Sequence, residues 1–194
     1  GLSMDGPEEV HDRFRVNKGG TGSWRQVMRG LETLQRGKAE FNILCVLSQS
    51  NVEQPREIYR FFRGLGIDNI QYIPLSEFDA EGRPLPETIT PSQYGRFLVE
   101  TFDLWWPERR TVRIRCFDNL AEGVAGMKPG ACTMHKSCDS YVVVEYNGDI
   151  YPCDFFVEGN WKLGNIVDDS WPEVARRMRR TEFAETSEAL FLTQ

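Results

Sequence analysis

Three thiols carry the clearest chemistry in this sequence. Cys132 and Cys138 stand in Cys132-Thr-Met-His-Lys-Ser-Cys138, and Cys153 follows Tyr141-Val-Val-Val-Glu-Tyr-Asn-Gly148-Asp-Ile-Tyr-Pro. Two thiols so spaced can converge on one ion or cluster from a loop. An alternating strand, an Asn-Gly turn and a return strand bring back the third. Thiolates are soft ligands that select zinc, Cu(I) or iron–sulfur clusters. A fourth ligand must then be a side chain other than Cys, or a residue outside this sequence. His135 is one choice, since Cys132, His135, Cys138 and Cys153 make a tetrahedral zinc set. Asp154 directly follows Cys153, which places its carboxylate near the centre but pointing away from it. Beside Phe155 and Phe156 that carboxylate can have a raised pKa, which suits a general base.

The elements that position these residues follow from hydrophobic period. Asp5-Gly6-Pro7 reads as a turn at a strand end, and a Gly-rich loop leads to a helix over Trp24–Arg36 with Ser23 or Thr21 as N-cap and Gly37 as C-cap. Phe41–Leu47 reads as a buried strand, Gln54–Gly64 as a helix and Ile70–Leu75 as a strand that Pro74 ends. Pro91–Trp106 continues as a helix, and Thr111–Phe117 as a short strand. This alternation implies parallel βαβ units. Residues 118–140 read as loop, 141–153 as a hairpin and Trp171–Arg180, or slightly beyond, as an amphipathic helix. The expected fold class is therefore α/β, with two domains, 1–117 and 118–194. Cys45 and Cys116 read as structural thiols, and His11 as a loop hydrogen-bonder.

Composition narrows the class of function. Hydrophobic content of 40% and charged content of 27% are those of an ordinary globular protein. A net charge of −6 argues against a nucleic-acid footprint, so no nucleic-acid partner is expected. No apolar run reaches the roughly 18 residues of a membrane span, and no membrane partner is expected either. Five Cys with no secretory signal favour metal binding in a reducing cytoplasm over a disulfide framework. The opening Gly1-Leu-Ser-Met-Asp-Gly-Pro reads as a strand end entering a loop, which suggests a fragment of a longer protein.

These residues resemble a known family. Ser3-Met-Asp-Gly-Pro with His11-Asp-Arg-Phe-Arg15, Phe41-Asn-Ile-Leu and Ile70-Gln-Tyr-Ile-Pro-Leu75 resemble the second half of a radical SAM (β/α) barrel. The cysteine hairpin, Cys153-Asp154-Phe-Phe and Lys162-Leu-Gly-Asn-Ile166 resemble the start of a SPASM domain. The best match within that superfamily is the anaerobic sulfatase-maturating enzymes. The resemblance implies oxidation of a Cys or Ser in an unfolded sulfatase polypeptide to Cα-formylglycine. It implies S-adenosylmethionine and [4Fe–4S] clusters as cofactors, and an electron donor such as flavodoxin or ferredoxin. Cys132, Cys138 and Cys153 match three ligands of an auxiliary cluster. Asp154 matches the base that takes the target's proton, and Ser3, Arg15 and Leu75 match contacts to S-adenosylmethionine. The Cys-x3-Cys-x2-Cys signature and the later Cys group of the family are not in the sequence, so the chain alone is expected to be inactive.

Overall fold

Strand–helix alternation becomes a parallel sheet in the computed structural model, which describes residues 1–79, 81–135 and 141–180. The chain divides into two compact units, Gly1–Ala121 and Glu122–Gln194. In the first, β1 (Leu2–Ser3), β2 (Ile43–Leu47), β3 (Asn69–Pro74) and β4 (Arg113–Ile114) lie in sequential order, every neighbour parallel. Helices α1 (Glu8–His11) and α2 (Trp24–Arg36) connect β1 to β2, α3 (Pro55–Gly64) connects β2 to β3, and α4 (Pro91–Trp105) connects β3 to β4.

The core explains why the apolar residues recur as they do. On β2, Ile43, Cys45 and Leu47 are fully buried, with half-buried Leu44 and Val46 between them. Helix α3 sinks Ile58 and Phe62 into the same core, at about 1.5–3 kcal/mol for each fully buried side chain. Helix α4 starts on a capping box: Gln93 N–H donates to Thr90 Oγ (3.2 Å) and Thr90 N–H donates to Gln93 Oε1 (2.9 Å). Helix α2 starts differently. Ser23 occupies the N-cap position, but its hydroxyl is used elsewhere, and Asp12 Oδ1 accepts the Trp24 N–H at 2.8 Å instead.

The stretch after α4 departs from the sequence reading. Only Arg113 and Ile114 form a strand, paired with Asn69 and Ile70, and the chain then turns into helix α5 (Arg115–Val124). Alternation in Thr-Val-Arg-Ile-Arg imitates a longer strand. The helix wins because it lays Phe117 against Phe102 and Trp105, with ring centroids at 5.3 and 4.9 Å. Cys116 is thus helical, and burial pushes its thiol up to about 12.

The second unit holds a small antiparallel sheet of β5 (Val143–Val144), β6 (Asp149–Tyr151) and β7 (Gly164–Asn165), followed by helix α6 (Trp171–Arg180). Gly148 takes φ +85° in the β5–β6 turn, a left-handed conformation that glycine adopts without a Cβ clash. Asp149 then anchors the turn by accepting from Lys162 Nζ (2.5 Å) and Asn165 Nδ2 (2.9 Å). Ile150, Cys153, Phe156 and Leu163 pack with Val174 and Met178 of α6. Any extension of α6 past Arg180 lies outside the described residues. Among the described residues no helix is long and apolar enough to cross a membrane.

Candidate functional site

The carboxyl ends of β1, β2 and β3 open into a cavity of about 320 Å³ in the first unit. Loops at the carboxyl ends of parallel strands are where sheets of this kind present ligands with side chains. Its wall includes Asp5, Arg15, Val46, Ser48, Leu75 and Glu87. Gly6, at φ +142°, lets the chain turn sharply just after Asp5, because a Cβ there would stand 2.7 Å from Ile58 Cδ1.

Asp5 is the keystone of this wall. It is 8% exposed and accepts from Arg15 Nε (2.5 Å), Arg15 Nη2 (3.1 Å) and the Val46 N–H (2.9 Å). The Arg15 guanidinium, expected from the resemblance to contact a ligand, thus closes its fork on a carboxylate of the chain itself, leaving Nη1 as the nitrogen not engaged with Asp5. Leu75 lines the cavity half-buried, just past β3. Ser3 stands half-buried on β1, beside Leu44 of β2 and two residues before Asp5.

Behind Asp5 runs a buried polar chain. The Asp5 N–H donates to His11 Nδ1 (3.3 Å), His11 Nε2 lies 3.1 Å from Ser23 Oγ, and that hydroxyl donates to the Arg15 carbonyl (2.7 Å). Because Nδ1 accepts and the serine proton is committed, His11 is the neutral Nε2–H tautomer. Burial lowers its pKa below 6.5, with Asp5 and Asp12 opposing and Arg15 assisting. The unfolded chain therefore binds more protons than the folded one between the two pKa values. The stabilisation is complete above 6.5 and is lost as pH falls toward and through the folded value. The thermal midpoint of the chain is expected to drop between about pH 7.5 and about pH 5.5, and His11→Gln to flatten that slope. An equal slope in the variant would contradict this assignment.

In the second unit, one phenol gathers the sulfur chemistry. The Tyr141 hydroxyl lies 3.0 Å from Asp154 Oδ1, 3.7 Å from Cys153 Sγ and 3.8 Å from Cys132 Sγ. Cys132 and Cys153 are both free thiols, each within 3.8 Å of that hydroxyl. Cys153 is buried, which raises its pKa. Cys138 lies outside the described residues. Asp154 does not point away from the sulfurs as expected: Oδ1 is 3.4 Å from Cys153 Sγ. Nor is it enclosed by its aromatic neighbours, since Asp154 is exposed and Phe155 is 64% exposed. His135 Nε2 donates to the Pro129 carbonyl (2.6 Å), which leaves Nδ1 with a lone pair and no hydrogen-bond partner among the described residues.

Two of these residues escaped the sequence reading. Tyr141 could have been found from the hairpin: Val143 pairs with Tyr151, and continuing that register outward sets Tyr141 opposite Cys153. Its phenol pKa is raised by burial and by Cys153, Cys132 and Asp154, so it keeps its proton. Asp5 was legible only as a turn residue, because nothing local shows that Arg15 folds back onto it.

Comparisons with known proteins bear on both units. A family model described as an iron–sulfur cluster-binding domain, SPASM, matches residues 132–191. The serine-type anaerobic sulfatase-maturating enzyme of Bacteroides thetaiotaomicron is 36% identical over 94% of this chain and 48% of its own length. The cysteine-type enzyme of Clostridium perfringens is 35% identical over 96% of this chain and 52% of its own length. The solved structure of native anSMEcpe with bound AdoMet matches with a TM-score of 0.82 at 34% identity, covering 96% of this chain and 52% of that one. The first unit is accordingly a partial radical SAM fold. The chain spans about half the length of the curated relatives it matches. Over most of its length, the homologues of this chain at 35% identity are anaerobic sulfatase-maturating enzymes.

Proposed function

We propose that the protein of which this chain forms part oxidises a Cys or Ser of an unfolded sulfatase polypeptide to Cα-formylglycine. The observation that carries this reading is the convergence of Cys132, Cys153 and Asp154 on one hydroxyl, inside a segment that matches an iron–sulfur cluster-binding domain. The donor set fits a [4Fe–4S] cluster: two free thiols each within 3.8 Å of one hydroxyl, with soft sulfur ligands. Cys132, Cys138 and Cys153 would hold it. Ser3, Arg15 and Leu75 would bind S-adenosylmethionine, with Leu75 packing on an apolar part and the Arg15 Nη1 not engaged with Asp5 donating a hydrogen bond. When bound, these groups supply hydrogen-atom abstraction from the target Cβ and take up the electron left there.

The residues of this chain hold and orient, and one of them moves a proton. Asp154 takes the proton of the target thiol or hydroxyl, so that loss of a hydrogen atom, a proton and an electron leaves a carbon–heteroatom double bond: the aldehyde directly from Ser, or from Cys a thioaldehyde that water converts to the aldehyde with release of hydrogen sulfide. Its exposure leaves it open to an incoming peptide. The reaction fits the cytoplasm, with a flavodoxin or ferredoxin as electron source. The test is an anaerobic incubation of the protein, its clusters reconstituted, with S-adenosylmethionine, a reductant and an unfolded sulfatase peptide. Mass spectrometry is expected to show the aldehyde at the target Cys or Ser. A peptide recovered unchanged, beside active S-adenosylmethionine cleavage, would sink the assignment.

A second reading has one observation in its favour. His135 Nδ1 has no hydrogen-bond partner among the described residues and is a candidate ligand for the zinc site of a non-catalytic binding module, although no three of the described His, Cys, Asp or Glu side chains group as a metal site. Metal analysis of anaerobically prepared protein separates the two: iron with sulfide supports the cluster, and one zinc without iron supports the module.

A further inference from the structure

Tyr141 has one proton to donate and three neighbours that could receive it. The Asp154 oxygen is at 3.0 Å, an ordinary O–H···O distance, whereas the two sulfurs lie 3.7 and 3.8 Å away. A charged carboxylate oxygen is also the strongest acceptor of the three. Tyr141 lies two residues before Val143, and the Val143–Tyr151 register continued outward sets it opposite Cys153, which bears the buried thiol. Among the described residues, Asp154 Oδ2 has no hydrogen-bond partner. One oxygen is therefore held, and the other is left for the reacting peptide.

We infer that Tyr141 is a positioning residue: its hydroxyl pins Asp154 beside the sulfur ligands and presents the second carboxylate oxygen to the substrate. This rests on the reading of Asp154 as the base. Partners that orient the groups around a metal centre usually matter by 10–100-fold, and the same size is expected here. An Asp free to rotate would keep its chemistry but lose its aim.

The experiment uses the cluster-loaded protein and Tyr141→Phe. Iron and sulfide content should match the parent. Formylglycine kcat should fall by roughly 10–100-fold with KM for the peptide unchanged, while 5′-deoxyadenosine is still produced, now uncoupled from product. In the double variant with Asp154→Asn, the Phe substitution should add no further loss. Unchanged kcat in Tyr141→Phe would overturn the inference, as would loss of iron in step with activity, which marks a structural prop. If Asp154→Asn itself turns over normally, the base reading fails. If Asp154→Asn is inactive and Tyr141→Phe is normal, the role of Tyr141 alone fails.

Discussion

Replacing Asp154 with Asn is expected to lower formylglycine formation by about 10²–10⁴-fold while leaving iron content unchanged. The amide keeps the size of the side chain and one carbonyl oxygen that can accept from Tyr141, so the 3.0 Å contact survives. What it loses is the ability to carry a proton away. S-adenosylmethionine cleavage should persist, since Asp154 belongs to the second unit and the cavity to the first. The decisive measurement is the ratio of peptide product to 5′-deoxyadenosine. A ratio equal to that of the parent would remove Asp154 from the proton step.

Asp5→Ala carries the largest expected effect on stability. The substitution strips the Val46 N–H and two Arg15 nitrogens of their shared acceptor at a site that is 8% exposed. Breaking a buried charge pair on one side costs about 3–5 kcal/mol, because the remaining charge stays buried and unpaired. Arg15 retains some exposure, which places the expected value at the lower end of that range. Chemical denaturation of the chain measures it. The double variant Asp5→Ala with Arg15→Met should recover part of the loss, since it leaves no stranded charge. A single substitution that costs under about 0.5 kcal/mol would show that the pair behaves as a surface contact.

What the sequence made legible was whatever local pattern decides. Helix α2 runs over Trp24–Arg36 as its apolar spacing requires, and α6 starts at Trp171. The strand around Cys45 was recognisable because a buried parallel strand has little alternation to hide. The failures are places where distant residues choose. Helix α5 forms against aromatic rings contributed by α4, which no window around Cys116 contains. The cap of α2 comes from Asp12, because His11 and the Arg15 carbonyl have already claimed the Ser23 hydroxyl. In the candidate site, the grouping of Cys132 with Cys153 followed from an Asn-Gly hairpin. The direction of the Asp154 carboxylate did not, because it depends on a tyrosine twelve residues from Cys153 in sequence and opposite it in register.

The closed fork between Arg15 and Asp5 also sets the sign of the field inside the cavity. Those two charges offset one another within the wall, so the other acidic residues that line the space are Glu77 and Glu87. Arg13 approaches Glu87 only to 3.8 Å and from an exposed position, where its compensation is weak. A molecule entering with a positive centre is therefore expected to be favoured over an anion of the same shape. Added salt should weaken that preference, even though the buried pair itself is barely touched by screening.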